Sequence, residues 1–321
     1  MRSFCLALMA VAFGSAVNGQ QLPDSAFHFQ NNHPAFPAGA GPAVCVDAAH
    51  HNFHTIDGRY YAFGKLARED GFRTTSLAKR LDRAVPAHCA VLVIANASAA
   101  PLGEAGADFN APAVRPDEIT RILDWVINGG RLLLIVDHAP YPAAAANLAA
   151  VLGAVPLNGG ATYRMFGVLP EEAVHTITEQ YGITVDSVRR VLGPLGTLGD
   201  HPILRGRPGL DPPVRTLMTF GGSAFYPARD VYPLLQVPAR ANGTVWLPGR
   251  PYQEHAPRYI LDGWLVGGAR QVGAGRVVIL GEAGMCSAQL AGPQRTHMGM
   301  NDPLAVDNAL FCINVNCSAS T

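Results

Sequence analysis

Four short apolar runs recur along the chain and most constrain its fold: AVCVDA (43–48), CAVLVIANA (89–97), RLLLIV (131–136) and GRVVILGE (275–282). Each is too short for a buried helix and is bounded by turn residues, so each reads as a strand covered on both faces. Between them lie helical patterns. YYAFGKLAREDGF (60–72) ends at Gly71, which is placed to stop a helix. RPDEITRILDWVINGG (115–130) has Pro116 in its first turn, Asp117 and Glu118 after it, and Gly129 and Gly130 at its end. Its Ile119, Ile122, Leu123 and Val126 recur at helical spacing. AAAANLAAVLGA (143–154) and DPLAVDNALFCINV (302–315) read as two further helices, and RTTSL (73–77) as a more polar strand. Buried strands alternating with amphipathic helices predict a mainly parallel sheet with helices on both faces. Residues 155–260 are less regular and read as a β-rich insertion; HPILRG, VRTLMTF and YPLLQV within it read as short strands or turns.

In such a sheet, ligands bind outside the carboxyl ends of the strands. Two strands end in Asp followed by histidines. The first is VCVDAAHHNFHT (44–55), which places Asp47, His50, His51, Asn52 and His54 together, three of the chain's 11 histidines. The second, RLLLIVDHAPYP (131–142), ends in Asp137 and His138. Glu282 ends the late strand between glycines. Asp47, His50, Asp137, His138 and Glu282 are therefore the candidate catalytic groups, because a carboxylate beside an imidazole sets its tautomer and basicity. Asp137 has helix capping as an equal alternative role. His51, Asn52 and His54 are candidate ligand contacts. So are Ser287 and Gln289, which read as a helix start whose N–H groups face an anion, and Asn301 in a loop over the cleft. Asp47, His50, His54 and His138 have the ligand types for a divalent metal. His50 and His54 would share a face if their segment were helical. Their spacing matches no established zinc signature, and no cofactor is otherwise indicated.

Formal net charge is zero, so no basic field attracts nucleic acid. Residues 1–19 read as a secretory signal: Arg2, the apolar stretch FCLALMAVAF and small residues, with cleavage after Gly19 or Ala16. No other run has the length of a membrane helix. The expected product is an exported, periplasmic or secreted protein with no stable membrane insertion. It would have an extended arm (20–40) and one α/β domain (41–317). Five cysteines would remain. Cys312 and Cys317 are candidates for a bridge across the end of the last helix, with buried free thiols as the alternative.

Four motifs, DAAHHNFHT (47–55), DHAPYP (137–142), GDHPILRG (199–206) and GEAGMCSAQLAGPQRTHMGMNDPLAVDN (281–308), span most of residues 43–315. Together they resemble a family of exported bacterial proteins of unknown function. That resemblance implies a flavodoxin-like, class I glutamine amidotransferase-like three-layer fold. True amidotransferases carry a nucleophilic Cys on the turn after the central strand. Here that turn reads Asp137-His138-Ala139-Pro140, and Cys286 lies elsewhere. The thiolate mechanism has no nucleophile in that position. Three readings follow: a protein that binds a small molecule at the strand ends, a hydrolase working through the Asp/His/Glu cluster, with or without a metal, and an interaction subunit whose cleft is vestigial.

Overall fold

A computed structural model describes residues 21–161, 163–246 and 256–317. The expected signal segment, 1–19, lies outside the described residues. The arm opens on a short strand, β1 (Gln21–Pro23), and the expected strands and helices of the first half form after it: β2 (Ala43–Asp47), α1 (Tyr61–Glu69), β3 (Arg73–Leu77), β4 (Cys89–Ala95), α2 (Pro116–Ile127) and β5 (Arg131–Ile135). The helix expected at 143–154 begins earlier, as α3 (Tyr141–Ala144), and continues after a break as α4 (Ala146–Val151). The break has an identifiable cause. The Ala144 carbonyl accepts from Ala113 N, in the loop alongside, which withdraws it from the helical ladder.

The main sheet has ten strands and is mixed, which corrects the expectation of a mainly parallel sheet. Five strands run parallel in the order β3-β2-β4-β5-(Gly275–Leu280). Leu265–Val272 then hairpins back antiparallel onto Gly275–Leu280, and short strands at Phe225–Pro227, Ala154–Pro156, Tyr232–Gln236 and Thr197–Leu198 extend that edge antiparallel. The irregular 155–260 span thus supplies sheet edge. VRTLMTF and YPLLQV each contain a strand, whereas HPILRG forms a helical turn, Pro202–Arg205, because His201 Nδ1 accepts from Ile203 N and starts it.

Alternate residues of the parallel strands feed two separate cores. Val44, Val46, Val93, Leu133, Ile135 and Leu280 pack with Phe63 and Leu66 of α1 and with Phe311 of the C-terminal helix Asn308–Cys317. Cys45, Leu92, Ile94, Leu134 and Ile279 pack with Ile122 and Val126 of α2 and Leu148 of α4. Burial on both faces is why these strands read as continuous apolar runs.

The N-terminal arm is held at its start, where β1 pairs antiparallel with Ala288–Ala291. Asp70 accepts from Ala35 N and Asn31 Nδ2 and holds the arm further along. Gly71 ends α1 with a φ of +88°, and a Cβ there would stand 2.2 Å from the Phe36 carbonyl oxygen. Gly71→Ala is expected to cost about 2–3 kcal/mol. Gly103→Ala has the same φ but nothing within 4 Å of the added Cβ, so it is expected to cost less. Equal losses in urea unfolding would show that contact with the arm contributes nothing.

Two disulfides form among the described residues, Cys45–Cys89 and Cys286–Cys312. The second corrects both alternatives offered for Cys312, a bridge to Cys317 and a buried free thiol: Cys286 Cα lies 5.7 Å from Cys312, within bonding geometry for a partner distant in sequence.

Candidate functional site

The register of the parallel strands brings four polar residues to one sheet edge. Ala95 pairs with Ile135 and Ile135 with Leu280, so Asn96, Asp137 and Glu282 follow at the same level, and Asp47 ends β2 beside them. Asn96 is fully buried with a φ of +51°, a conformation Asn tolerates. Its Oδ1 accepts from Asp137 N and its Nδ2 faces His54 Nδ1. Its carbonyl accepts from Phe53 N. Asn96 therefore pins the histidine loop of 50–54 to the end of β5.

That loop is not helical, so His50 and His54 do not share a helix face, as the sequence had allowed. Asn52 explains the shape: its Oδ1 accepts from His50 N and its Nδ2 donates to Ala95 O. His51 points outward and is exposed. His50 turns inward and is fully buried between two carboxylates, Nδ1 at 2.8 Å from Asp47 Oδ2 and Nε2 at 3.1 Å from Glu118 Oε1. A neutral imidazole donates from only one nitrogen, so making both bonds requires the imidazolium. Burial pulls the His50 pKa down, but the Asp47 hydrogen bond and the charges of Asp47 and Glu118 outweigh it and leave it raised.

Glu118 was legible only as an early acidic residue of α2. It is also the hub of this buried network. Oε1 accepts from Leu81 N as well as facing His50, and Oε2 accepts from Arg115 N and Arg80 Nη1. Burial would raise its pKa, yet the Arg115 N–H, then His50 and Arg80, hold it below the usual carboxylate range. The group joins the end of β2 to the start of α2.

Asp137 and Glu282 meet across the sheet edge. Asp137 Oδ1 accepts from His138 N and Oδ2 from Ala283 N, so it ties two strand ends instead of capping α3, whose first turn has no side-chain cap. Glu282 Oε2 accepts from Phe220 N and Gly222 N, and Oε1 from Gly284 N. Burial, and then the Asp137 charge, push the Glu282 pKa up to about 8 against those three donors. Tyr60 and Tyr163 close the floor, their hydroxyls donating to the carbonyls of Ala283 and Ser223. Burial first, and then the charges of Asp137 and Glu282, raise both phenols.

Above this floor lies a chain of rings. Phe53 lies 5.3 Å from His54 and 5.6 Å from Tyr141, Tyr141 lies 5.8 Å from His138, and His138 lies 5.8 Å from Trp246. The Arg59 guanidinium sits 3.6 Å over the Phe53 ring. Phe53, His138, Trp246 and Arg59 are half-buried. Burial, then Arg59 and His138, drive the His54 pKa well down, so His54 is neutral.

The structure does not bring Asp47, His50, His54 and His138 together as a metal-binding group. His50 faces Glu118 with both ring nitrogens engaged, while His54 faces Asn96. Among the described residues, metal-ligand spacing occurs at Cys45, His88 and Cys89, where both thiols are joined as a disulfide. Ser287 and Gln289 do not start a helix. A helical turn (Gly284–Cys286) precedes Ser287, Gln289 lies in the strand Ala288–Ala291, and Ser287 N already donates to Gly284 O. Gln289 Nε2 donates to Ser287 Oγ, and Asn301 Nδ2 donates to Asp24 Oδ2 and Gln289 O, joining the arm to the late loops. Sequence reading missed Asn96, Phe53, Arg59, Tyr60, Tyr141 and Tyr163. Asn96 ends its strand as Asp47 and Asp137 do, so the strand-end rule applied to β4 would have found it.

No protein-family model matches this chain, and no curated protein matches it. Solved structures resemble it to differing degrees. The mmIFT52 N-terminal domain superposes with a TM-score of 0.50 at 12% identity, over 87% of this chain and 97% of that domain. A ThuA-like protein from Bacteroides uniformis ATCC 8492 gives 0.44 at 13% identity, over 89% and 95% of the two chains. The cytoplasmic protein STM3548 from Salmonella typhimurium gives 0.41 at 13%, over 85% and 96%. At 12% identity the likeness to the mmIFT52 domain is one of fold alone.

Proposed function

We propose that this chain is an exported protein with a class I glutamine amidotransferase-like fold that binds a small molecule at its strand ends and does not hydrolyse glutamine. One observation carries the reading. The acids at the sheet edge are bound up in holding the backbone and His50 in place, while Phe53, half-buried under the Arg59 guanidinium, heads the run of rings through Tyr141 to His138 and Trp246. A half-buried aromatic face of this kind suits a sugar ring or a peptide fragment. The turn after β5 holds no thiol or hydroxyl nucleophile, and Cys286 is disulfide-bonded. The two disulfides suit an oxidising compartment. Among the described residues no helix is long and apolar enough to cross a membrane.

A hydrolase reading draws support from Asp137 and Glu282, since a carboxyl raised to about 8 near a second acid is an acid–base pattern. Glu282 is 1% exposed with three backbone donors on its oxygens, which disfavours contact with a substrate. The test is ligand-observed NMR of the purified protein against monosaccharides, short peptides and organic acids, alongside an ammonia assay with glutamine. The expected result is binding to at least one compound, weakened at least tenfold by Phe53→Ala, with no ammonia above background. Turnover of any bound compound, lost in Asp137→Asn, would transfer the site to the hydrolase reading.

A further inference from the structure

We propose that the ligand carries an oxyanion, a carboxylate or a phosphate, and that Arg59 is the residue that binds it. This rests on the binding reading above and specifies the ligand's chemistry.

Arg59 stands in the turn before α1, at the carboxyl edge of the sheet. Its guanidinium lies over Phe53, and its Nε donates to Gln21 Oε1 at 3.2 Å. That amide is its hydrogen-bond acceptor among the described residues; its two Nη groups have none, and no carboxylate lies within salt-bridge distance. Several partly buried arginines of the chain are neutralised, Arg80 by Glu118, Arg207 by Asp211 and Arg270 by Asp230, whereas Arg131 and Arg164, like Arg59, have no carboxylate at salt-bridge distance among the described residues. A half-buried cation without a counter-charge is costly unless an anion is supplied. A guanidinium stacked on a ring keeps its N–H edge outward, in the geometry that takes an oxyanion with two parallel hydrogen bonds.

Two further donors border the same ring. His54 Nδ1 is taken by Asn96 Nδ2, whose amide is oriented by Asp137 N–H on its Oδ1. The neutral imidazole therefore carries its proton on Nε2, which has no protein acceptor among the described residues. The Tyr141 hydroxyl likewise has none, and its ring lies 5.6 Å from Phe53. A guanidinium, an imidazole N–H and a phenol O–H thus surround Phe53. The nearby acids, Asp137 and Glu282, accept from backbone N–H groups below. The half-buried Arg59 guanidinium supplies the accessible charge and N–H edge, with the buried donors of His54 and Tyr141 beside it and the nearby acceptors engaged, so the site selects an acceptor-rich anion.

The full chain, purified after export, is titrated calorimetrically at constant ionic strength with inorganic phosphate and separately with succinate, using sodium chloride as the blank. A library of neutral monosaccharides and dipeptide amides is screened by thermal shift in parallel. Expected is saturable binding of one of the two anions. Arg59→Gln should weaken it at least tenfold and Tyr141→Phe by about twofold to fivefold. Arg59→Lys, which keeps the charge and loses the fork, should weaken it severalfold and decides the matter if Arg59→Gln fails to fold. Undiminished affinity in the Arg59 variants overturns the inference. Binding of neutral compounds without either anion also overturns it and leaves the small-molecule reading standing. If nothing binds in either arm, both readings fall.

Discussion

Replacing Glu118 with alanine is expected to lower the unfolding free energy by about 3–5 kcal/mol, the range for removing one partner of a buried ion pair. The loss is large because Glu118 serves several groups at once. Without it, the His50 imidazolium keeps only Asp47, the Leu81 N–H is stranded in the core, and Arg115 N at the start of α2 loses its cap. Urea unfolding of the two proteins at matched pH measures the difference. Its pH dependence has a defined sign. The folded-state pKa of Glu118 is depressed, so its contribution is present above the unfolded value and lost as pH falls through the folded one. The folded-state pKa of His50 is raised, so its contribution is full below the unfolded value and lost as pH rises through the folded one. The gap between wild type and Glu118→Ala should therefore be widest between these limits and narrow on both sides. A gap of less than about 1 kcal/mol, flat with pH, would mean that the network is no stronger than a surface ion pair.

The second large effect is expected at Glu282. Glu282→Ala leaves the N–H groups of Phe220, Gly222 and Gly284 without their acceptor, at about 1–3 kcal/mol for each buried orphan and less than additive in sum. Glu282→Gln keeps one oxygen but sets an NH2 against one side of the same cradle, and should cost about 1–3 kcal/mol. The folded carboxyl lies at about 8, above its ordinary value of 4.5. Its favourable contribution is therefore full below the unfolded pKa and lost as pH rises through 8. The advantage of wild type over Glu282→Gln should shrink between pH 5 and 9. An advantage that grows over this range would show that the three N–H donors outweigh burial and hold the anion.

The parts of the fold that were legible in the sequence are those whose signal is local. The strand at Arg131–Ile135 is apolar along its length because both its faces are buried, and Pro116, Glu118 and Gly129 mark the ends of α2 by rules that act within one helix. The antiparallel half of the sheet was not legible. Strands such as Phe225–Pro227 and Ala154–Pro156 are three residues long, too short for a period to appear, and pairing between distant segments defines them. The break between α3 and α4 was hidden for a similar reason, since the Ala113 N–H that diverts the Ala144 carbonyl comes from a separate loop.

The same division runs through the site. The chain alone determined that Asp47, Asp137 and Glu282 end buried strands, because apolar runs stopping at an acid are a feature of the primary structure. It also determined that the turn after the central strand carries no nucleophile. Only the tertiary structure decided what those groups do. It seated His50 on Glu118, which lies 68 positions away, bound Glu282 to the backbone of residues 220–222, and left Arg59 over Phe53 with no carboxylate at salt-bridge distance among the described residues. The cause is physical: a side chain's protonation and availability depend on the donors, acceptors and water around it. In a sheet with crossover connections, those neighbours come from segments far apart in the chain.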